Sequence, residues 1–345
     1  MQCFVQADSP RVKCPEHGPT VAQVPWARHG AGHTRFFDDQ VAWLVTHTAK
    51  STVCELMRIA WRTVGSIISR VVADGRAAHD PFDGFVRIGI DEISYKKGHR
   101  YLTIVVDHDS GRLVWAAVGQ DKQTLPGFFD LVGEERSREI SLVSADGAEW
   151  IAGVVAERAP NATLCIDAFH VVQWASKALD EVRRQVWNEA RRGGMSAHAK
   201  ELKGCRYALW RNPEDLTPRQ QHKLAWIAKV NGPLYRSYLM KEQLRLAIRR
   251  KGVLALTMID EWLAWAARCR IPVFVELGRK IKKNQKGIEA AMLNNLSNAL
   301  VESTNTKLRV LHRMAFGFSQ PEHLIALALL DRGGYCPPLP GRQAA

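Results

Sequence analysis

From residue 86 onward the apolar positions stop recurring at helical spacing and gather into short runs, 86–93, 101–106 and 113–118, joined only by the turn-rich stretches 96–100 and 107–111. Runs so closely joined pair as antiparallel neighbours, because a parallel partner needs a long crossover. A helix from about residue 124, an apolar run 140–146, a helix from about 148 and a last run 162–167 follow. The order β-β-β-α-β-α-β predicts a mixed sheet with flanking helices, an α/β fold.

Acidic residues stand at the ends of these runs. Asp91 follows Ile88, Gly89 and Ile90, and Asp146 closes the run 140–146. At a period of two, Gly89, Asp91 and Ile93 share one face, where Gly89 leaves room beside the carboxylate, and Glu92 points the other way. A third acid, Glu302, lies far downstream on a helical pattern. On a wheel of 100° per residue, Asn295, Asn298, Glu302, Asn305, Thr306, Arg309 and Arg313 share its side, while Leu293, Leu296, Leu300, Leu308 and Leu311 lie opposite. One carboxylate among amides and arginines suits metal and phosphate, and Asn305 and Arg309 are expected to touch DNA. Asp91, Asp146 and Glu302 are expected to hold two Mg²⁺ or Mn²⁺ ions, since hard ions prefer oxygen ligands and a metal pair clamps both the attacking and leaving oxygens of a phosphodiester. Asp167 also ends a run and competes with Asp146. The preferred reading has Asp167 and His170 steadying the start of the next helix and lining the edge of the site.

Helical text dominates from residue 168 to about 278, punctuated by Pro213, Pro218, Pro233 and Pro272, and it carries six of the eleven tryptophans. It predicts a large all-α insertion whose tryptophans anchor helix packing; the alternative is that one stacks on an unpaired or flipped base. Arg279, Lys280, Lys282, Lys283 and Lys286 then place five cations in eight residues without an acid, a run suited to DNA phosphates.

Ahead of the sheet, residues 38–73 read as helix, turn, helix. Val64, Ile67, Ile68 and Val71 form the inward stripe of the second helix and leave Trp61, Arg62, Ser66, Ser69 and Arg70 outward, as in a helix that enters a major groove. Still earlier, Cys14 and His17 make one close ligand pair, with Cys3, His29 and His33 as loose candidates. A structural zinc site needs four ligands, so this segment is expected to be only partly ribbon-like.

Composition narrows the partners. Forty-eight Lys and Arg against 35 Asp and Glu give a net charge of +13 and a pI near 9.6, which favours a polyanion. Nucleic acid outranks membrane because the longest apolar run, 324–330, falls far short of the roughly 20 residues that span a bilayer. The first residues lack a signal-peptide pattern, and seven scattered cysteines argue against a disulfide framework, so a cytoplasmic, nucleoid-associated location is expected.

The segment from Ile88 to Leu102 (Ile-Gly-Ile-Asp-Glu-Ile-Ser-Tyr-Lys-Lys-Gly-His-Arg-Tyr-Leu), the Asp167-Ala-Phe-His170 stretch, Glu302-Ser-Thr-Asn-Thr-Lys307, the late Phe316-Gly-Phe318 and Val24-Pro-Trp-Ala-Arg-His29 resemble bacterial insertion-sequence transposases of the ISL3 family. The resemblance implies an RNase H-like domain in which Asp91, Asp146 and Glu302 are the DDE triad. It also implies terminal inverted repeats and target DNA as partners, and a homodimer in the synaptic complex. The expected organisation is a partial zinc-ribbon-like segment at 1–35, a helix-turn-helix at 36–80, the first part of the core at 84–170, a helical insertion at 171–280 and the glutamate-bearing helices at 281–335. Family members begin with a longer zinc ribbon holding an earlier Cys-x-x-Cys pair, so an incomplete zinc site and an N-terminally shortened copy are expected. Two competing functions are another RNase H-like nuclease and an inactive relic that only binds DNA.

Overall fold

The computed structural model describes residues 8, 10–16, 18–250, 252–294, 296, 299–318 and 320–341. In chain order, the strands β1 (Arg11–Cys14) and β2 (Gly18–Val21) precede the helices α1 (Arg35–His47), α2 (Lys50–Met57) and α3 (Trp61–Ala78). Next come β3 (Arg87–Lys96), β4 (Arg100–Asp107), β5 (Leu113–Val118), α4 (Pro126–Val132), α5 (Glu134–Glu139), β6 (Leu142–Ala145), α6 (Glu149–Arg158) and β7 (Thr163–Ile166). The helical stretch comprises α7 (Ala168–Arg192), α8 (Ser196–Gly204), α9 (Arg206–Trp210), α10 (Pro218–Val230), α11 (Gly232–Arg249), α12 (Val253–Arg268), α13 (Pro272–Lys283) and α14 (Gln285–Leu293). The last helices are α15 (Ala299–Met314) and α16 (Pro321–Arg332). The strand order β5-β4-β3-β6-β7 makes a five-stranded mixed sheet.

The chain divides into two compact units, one of Met1–Phe85, Asp91–Gln120 and Leu300–Ala345, the other of Val86–Ile90 and Asp121–Ala299. In the first, the inward stripe of α3 is as the apolar spacing predicts: Val64, Ile67, Ile68, Val71 and Val72 are buried. That stripe shares one core with Ile93 and Tyr95 of β3, Leu102, Ile104 and Val106 of β4, Leu308 and Leu311 of α15, and Leu324 to Leu330 of α16. The helix-turn-helix is therefore built on the same apolar cluster as half the sheet. Thr34 caps α1 by accepting from the Phe37 N–H, and α2 stops at Arg58, which takes a left-handed conformation at φ 52°. The strands β1 and β2 form a hairpin with Cys14 opposite Gly18.

The β3–β4 connection contains two successive residues with positive φ, Gly98 at 85° and His99 at 58°, which reverse the chain tightly. One expectation needs correction here. Asp91 does not end a strand: β3 continues to Lys96, because Ile93 and Tyr95 are apolar residues that the core draws in.

In the second unit, β6 runs parallel to both the first residues of β3 and to β7, pairing Gly89 with Ser144 and Ala145 with Ile166. The helices α7 to α14 enclose a separate core. Trp262 is fully buried and donates from Nε1 to the Met240 carbonyl at 2.8 Å, while Trp174, Trp187, Trp226 and Trp265 pack against the same cluster. Trp210 stays 40% exposed, with the Arg206 guanidinium 4.0 Å over its ring.

Helix α3 lies close to the segments that follow α15. A Cβ at Gly65 would meet the His323 ring at 2.8 Å, and one at Gly75 would meet the Tyr335 ring at 2.5 Å. Gly65→Ala is expected to lower stability by about 1–3 kcal/mol through overpacking, despite the better helix propensity of alanine, and the paired change His323→Ala is expected to recover most of it. Thermal unfolding of the single and double variants checks this; a single variant melting like the parent refutes the close packing.

Candidate active site

Asp91 sits in the middle of β3, half-buried, and its carboxylate is held from two sides. Its Oδ1 accepts from the Glu92 backbone N–H at 2.8 Å, and its Oδ2 accepts from Asn305 Nδ2 at 2.7 Å. Asn305 comes from α15, 214 residues away, and is only 4% exposed. The wheel had placed Asn305 among DNA-facing residues; instead α15 turns it inward onto the strand. Rotation by one position explains the difference: α15 buries Val301, Thr304, Asn305, Leu308 and Leu311, so the inward face extends over the amide. Glu302, one turn earlier, is exposed and makes no hydrogen bond or ion pair among the described residues. Thr306, Arg309 and Arg313 are exposed as well, and Asn295 and Asn298 lie outside the described residues.

In the other unit, Asp146 follows β6 directly and is half-buried. Its Oδ1 accepts from the Ala148 N–H at 2.9 Å, a turn that Gly147 allows by adopting φ +83°. Asp167 behaves as expected of a helix start: its Oδ1 accepts from the Phe169 N–H at 3.3 Å and caps α7. It is 4% exposed, and its Oδ2 is buried without a partner among the described residues. His170 meets the Phe169 ring edge-on at 5.8 Å.

The basic run divides by partner. Lys280 lies 3.8 Å over the Trp174 ring, and burial lowers its pKa, as does nearby Lys177, against the pull of Asp146 and Glu149. Lys283 reaches Glu149 at 2.6 Å, Lys282 donates to Gln285 at 2.8 Å, and Arg279 pairs with Glu276. Lys286 is exposed. In the helix-turn-helix, Arg62 and Trp61 are exposed, while Ser66 bonds back to the Arg62 carbonyl at 3.3 Å. Arg70 turns to Asp38 at 3.5 Å instead of outward.

Sequence reading passed over the reason for that turn. Asp38 is fully buried and also faces Arg28 at 3.6 Å; Arg28 in turn reaches Asp39 at 2.7 Å and Asp74 at 2.8 Å. Burial pushes the Asp38 carboxyl up, and Arg70 and Arg28 oppose it. An acidic pair at a helix start looks like an ordinary dipole partner, and only the fold reveals its demand for two arginines.

Among the described residues, no three His, Cys, Asp or Glu side chains converge as a metal cage would require. For the expected zinc site, Cys14 closes β1 and is in no disulfide, His17 and Cys3 lie outside the described residues, and His33 stacks on Phe37 with centroids 4.5 Å apart. Among the described residues no ribbon zinc site is seen. The oxygen donors around Asp91 do suit a hard divalent ion: a carboxylate in fixed orientation lies next to Asn305, whose Oδ1 is buried without a hydrogen-bond partner among the described residues.

A basic chain that carries acids on a mixed sheet and on a neighbouring helix, together with a helix-turn-helix, has the parts of a protein that acts on DNA. A family described as "Transposase" matches residues 88–328, and one described as "Helix-turn-helix domain of transposase family ISL3" matches residues 22–72. The chain belongs to the ISL3 family of transposases, with a DDE domain and a DNA-binding helix-turn-helix. It is 57% identical to the transposase for insertion sequence element IS1557 of Mycobacterium tuberculosis, strains CDC 1551 / Oshkosh and H37Rv, over 99% of this chain and 82% of the relative. It is 24% identical to the transposase for insertion sequence element IS1001 of Bordetella parapertussis, over 89% of this chain and 75% of that protein. No helix among the described residues is long and apolar enough to cross a membrane.

The two residues of α15 are expected to respond differently to substitution. Asn305→Ala removes a buried donor from the Asp91 carboxylate and should lower stability by about 1–3 kcal/mol, whereas Glu302→Gln, exposed and unpaired, should leave the melting temperature within about a degree of the parent. Equal melting of both variants would contradict the anchoring role of Asn305.

Proposed function

We propose that this transposase uses α3 to bind the terminal inverted repeats of its element, and uses Asp91, Asp146 and Glu302 to cleave the element ends and join them to target DNA. The observation that carries this reading is the Asn305–Asp91 hydrogen bond: it orients one acid from the helix that presents another, a single turn away. Support for Asp146 comes from register. Asp91, within β3, and Asp146, just after β6, each stand two residues past the Gly89–Ser144 pair of these parallel strands. Asp167 is the weaker choice because it already caps α7.

Two Mg²⁺ or Mn²⁺ ions, when bound, would supply the charge that activates a water or 3′-hydroxyl and steadies the leaving oxygen. Asp91, Asp146 and Glu302 would hold them. The chain's own part is positioning. Asn305 orients the Asp91 carboxylate, and its Oδ1 accepts no hydrogen bond among the described residues. Arg309 and Lys286 would hold the phosphate backbone, while Arg62, Ser66 and Trp61 would meet the duplex along α3. Two element ends would call for two protomers in the synaptic complex, acting on the DNA of the nucleoid.

Asp91→Asn, Asp146→Asn and Glu302→Gln are each expected to cut Mg²⁺-dependent cleavage of an end substrate by at least 10³-fold, because the loss falls on transition-state stabilisation, and to leave end binding within about twofold. Normal cleavage by Asp146→Asn with none by Asp167→Asn would overturn the assignment of the second acid.

Arginines of α3 should separate by role. Arg62→Ala is expected to weaken duplex binding and reduce the slope of log affinity against log salt by about one. Arg70→Ala should mainly lower stability, by about 1–3 kcal/mol, less than for a fully buried pair because Arg70 is partly exposed. Binding titrations at several salt concentrations, alongside thermal melts, check both; a salt slope unchanged by Arg62→Ala moves duplex recognition elsewhere.

A further inference from the structure

In the first unit, a groove of about 760 Å³ is lined by Trp61, Tyr95, Lys96, Lys97, His312, Phe316 and Phe318, with Ser94 and Gly317. No carboxylate lines it among the described residues. Phe316 is the unusual member. It is 78% exposed and holds a left-handed backbone at φ 50°, so the chain accepts strain at a bulky residue and presents its ring to solvent. Neither burial nor turn chemistry requires a phenylalanine there.

Charge behind the rings points the same way. The Lys50 side chain is 1% exposed, with its Nζ 4.6 Å from the Trp61 centroid and 5.2 Å from the Phe318 centroid. No carboxylate lies within ion-pair distance of it among the described residues, and burial lowers its pKa. Lys96 and Lys97 stand exposed at the end of β3, and burial keeps the His312 pKa low, so that ring adds a flat surface. Aromatic faces edged with cations suit a nucleobase with its phosphate: stacking holds the base, and lysines hold the backbone. A paired base offers no free face, so the natural occupant is unpaired.

We infer that this groove captures an unpaired nucleotide of the DNA, stacked on Phe316 and held through its phosphate by Lys96 and Lys97. Tyr95 lies four residues beyond Asp91 on β3, about 13 Å along the strand at the usual rise, and His312 lies two turns beyond Asn305 on α15. The captured nucleotide would thus sit a few steps from the Asp91 carboxylate. This inference rests on the proposed role of Asp91 only for its purpose, and it is tested by binding alone.

The test uses the full chain in EDTA, with fluorescent (dT)₈, a (dT)₈ whose central positions are abasic, and a blunt hairpin duplex. Phe316→Ala is expected to weaken (dT)₈ binding by roughly tenfold, within the range known for base–aromatic stacking. Duplex affinity should stay within about twofold, and Phe316→Trp should retain (dT)₈ binding. The abasic strand should bind the parent as weakly as (dT)₈ binds Phe316→Ala. Unchanged (dT)₈ affinity in Phe316→Ala, equal losses on single strand and duplex, or equal binding of the abasic strand each overturns the inference. Because Phe316 is exposed, its replacement removes little packing, and a melt of the variant confirms its fold. Every arm is read as binding in EDTA, so a failure of the proposed cleavage chemistry leaves this result readable.

Discussion

A single hydrogen bond, 2.7 Å from Asn305 Nδ2 to Asp91 Oδ2, ties a C-terminal helix to a strand 214 residues earlier. A carboxylate in the middle of a strand whose neighbours are apolar loses much of its water, and such a group is tolerated only when donors replace the lost hydration. Glu92 supplies one from the backbone and Asn305 supplies another from its side chain. Satisfying Asp91 therefore fixes the rotation of α15. That rotation sends Val301, Leu308 and Leu311 into the core and leaves Glu302 outside. The exposure of one acid thus depends on the hydration demand of another.

The same economy recurs in the helix-turn-helix. Asp38 is buried completely, and two arginines, Arg28 and Arg70, gather about it. One of them, Arg28, comes from the segment before α1 and also reaches Asp39 and Asp74. The arginines so engaged serve the interior. Net charge therefore overstates the number of cations free to meet DNA, a point also made by Lys280 over Trp174 and Lys283 beside Glu149. Arg62, Lys96, Lys97, Lys286 and Arg309 are among those left outward, and phosphate contacts from them would make binding sensitive to salt.

Apolar packing accounts for the shape of the helix-turn-helix more than helix propensity does. Gly65 and Gly75 lie within α3, where glycine costs about 1 kcal/mol relative to alanine. The His323 and Tyr335 rings occupy the space a side chain would need, so close approach offsets the weaker propensity. A helix read as a free recognition element is in this way held on its inner side by the C-terminal segment, with only its outer stripe left for a partner.

Local periodicity alone determined the order of the strands and helices, the inward stripe of α3, the helical stretch after Asp167 and the residues on the two faces of α15 at its ends. These follow from side-chain spacing of two or 3.6 residues, which neighbours in sequence carry. The motifs around Asp91, Asp167 and Glu302 also made the ISL3 family legible. Other features were decided only by the tertiary structure: the continuation of β3 past Asp91, the inward turn of Asn305, the engagement of Arg70 by Asp38, and the gathering of Phe316, Lys50 and Trp61 about one groove. Each depends on a partner dozens to hundreds of residues away, and the need of a buried charge for a counter-charge or donor has no period in the sequence.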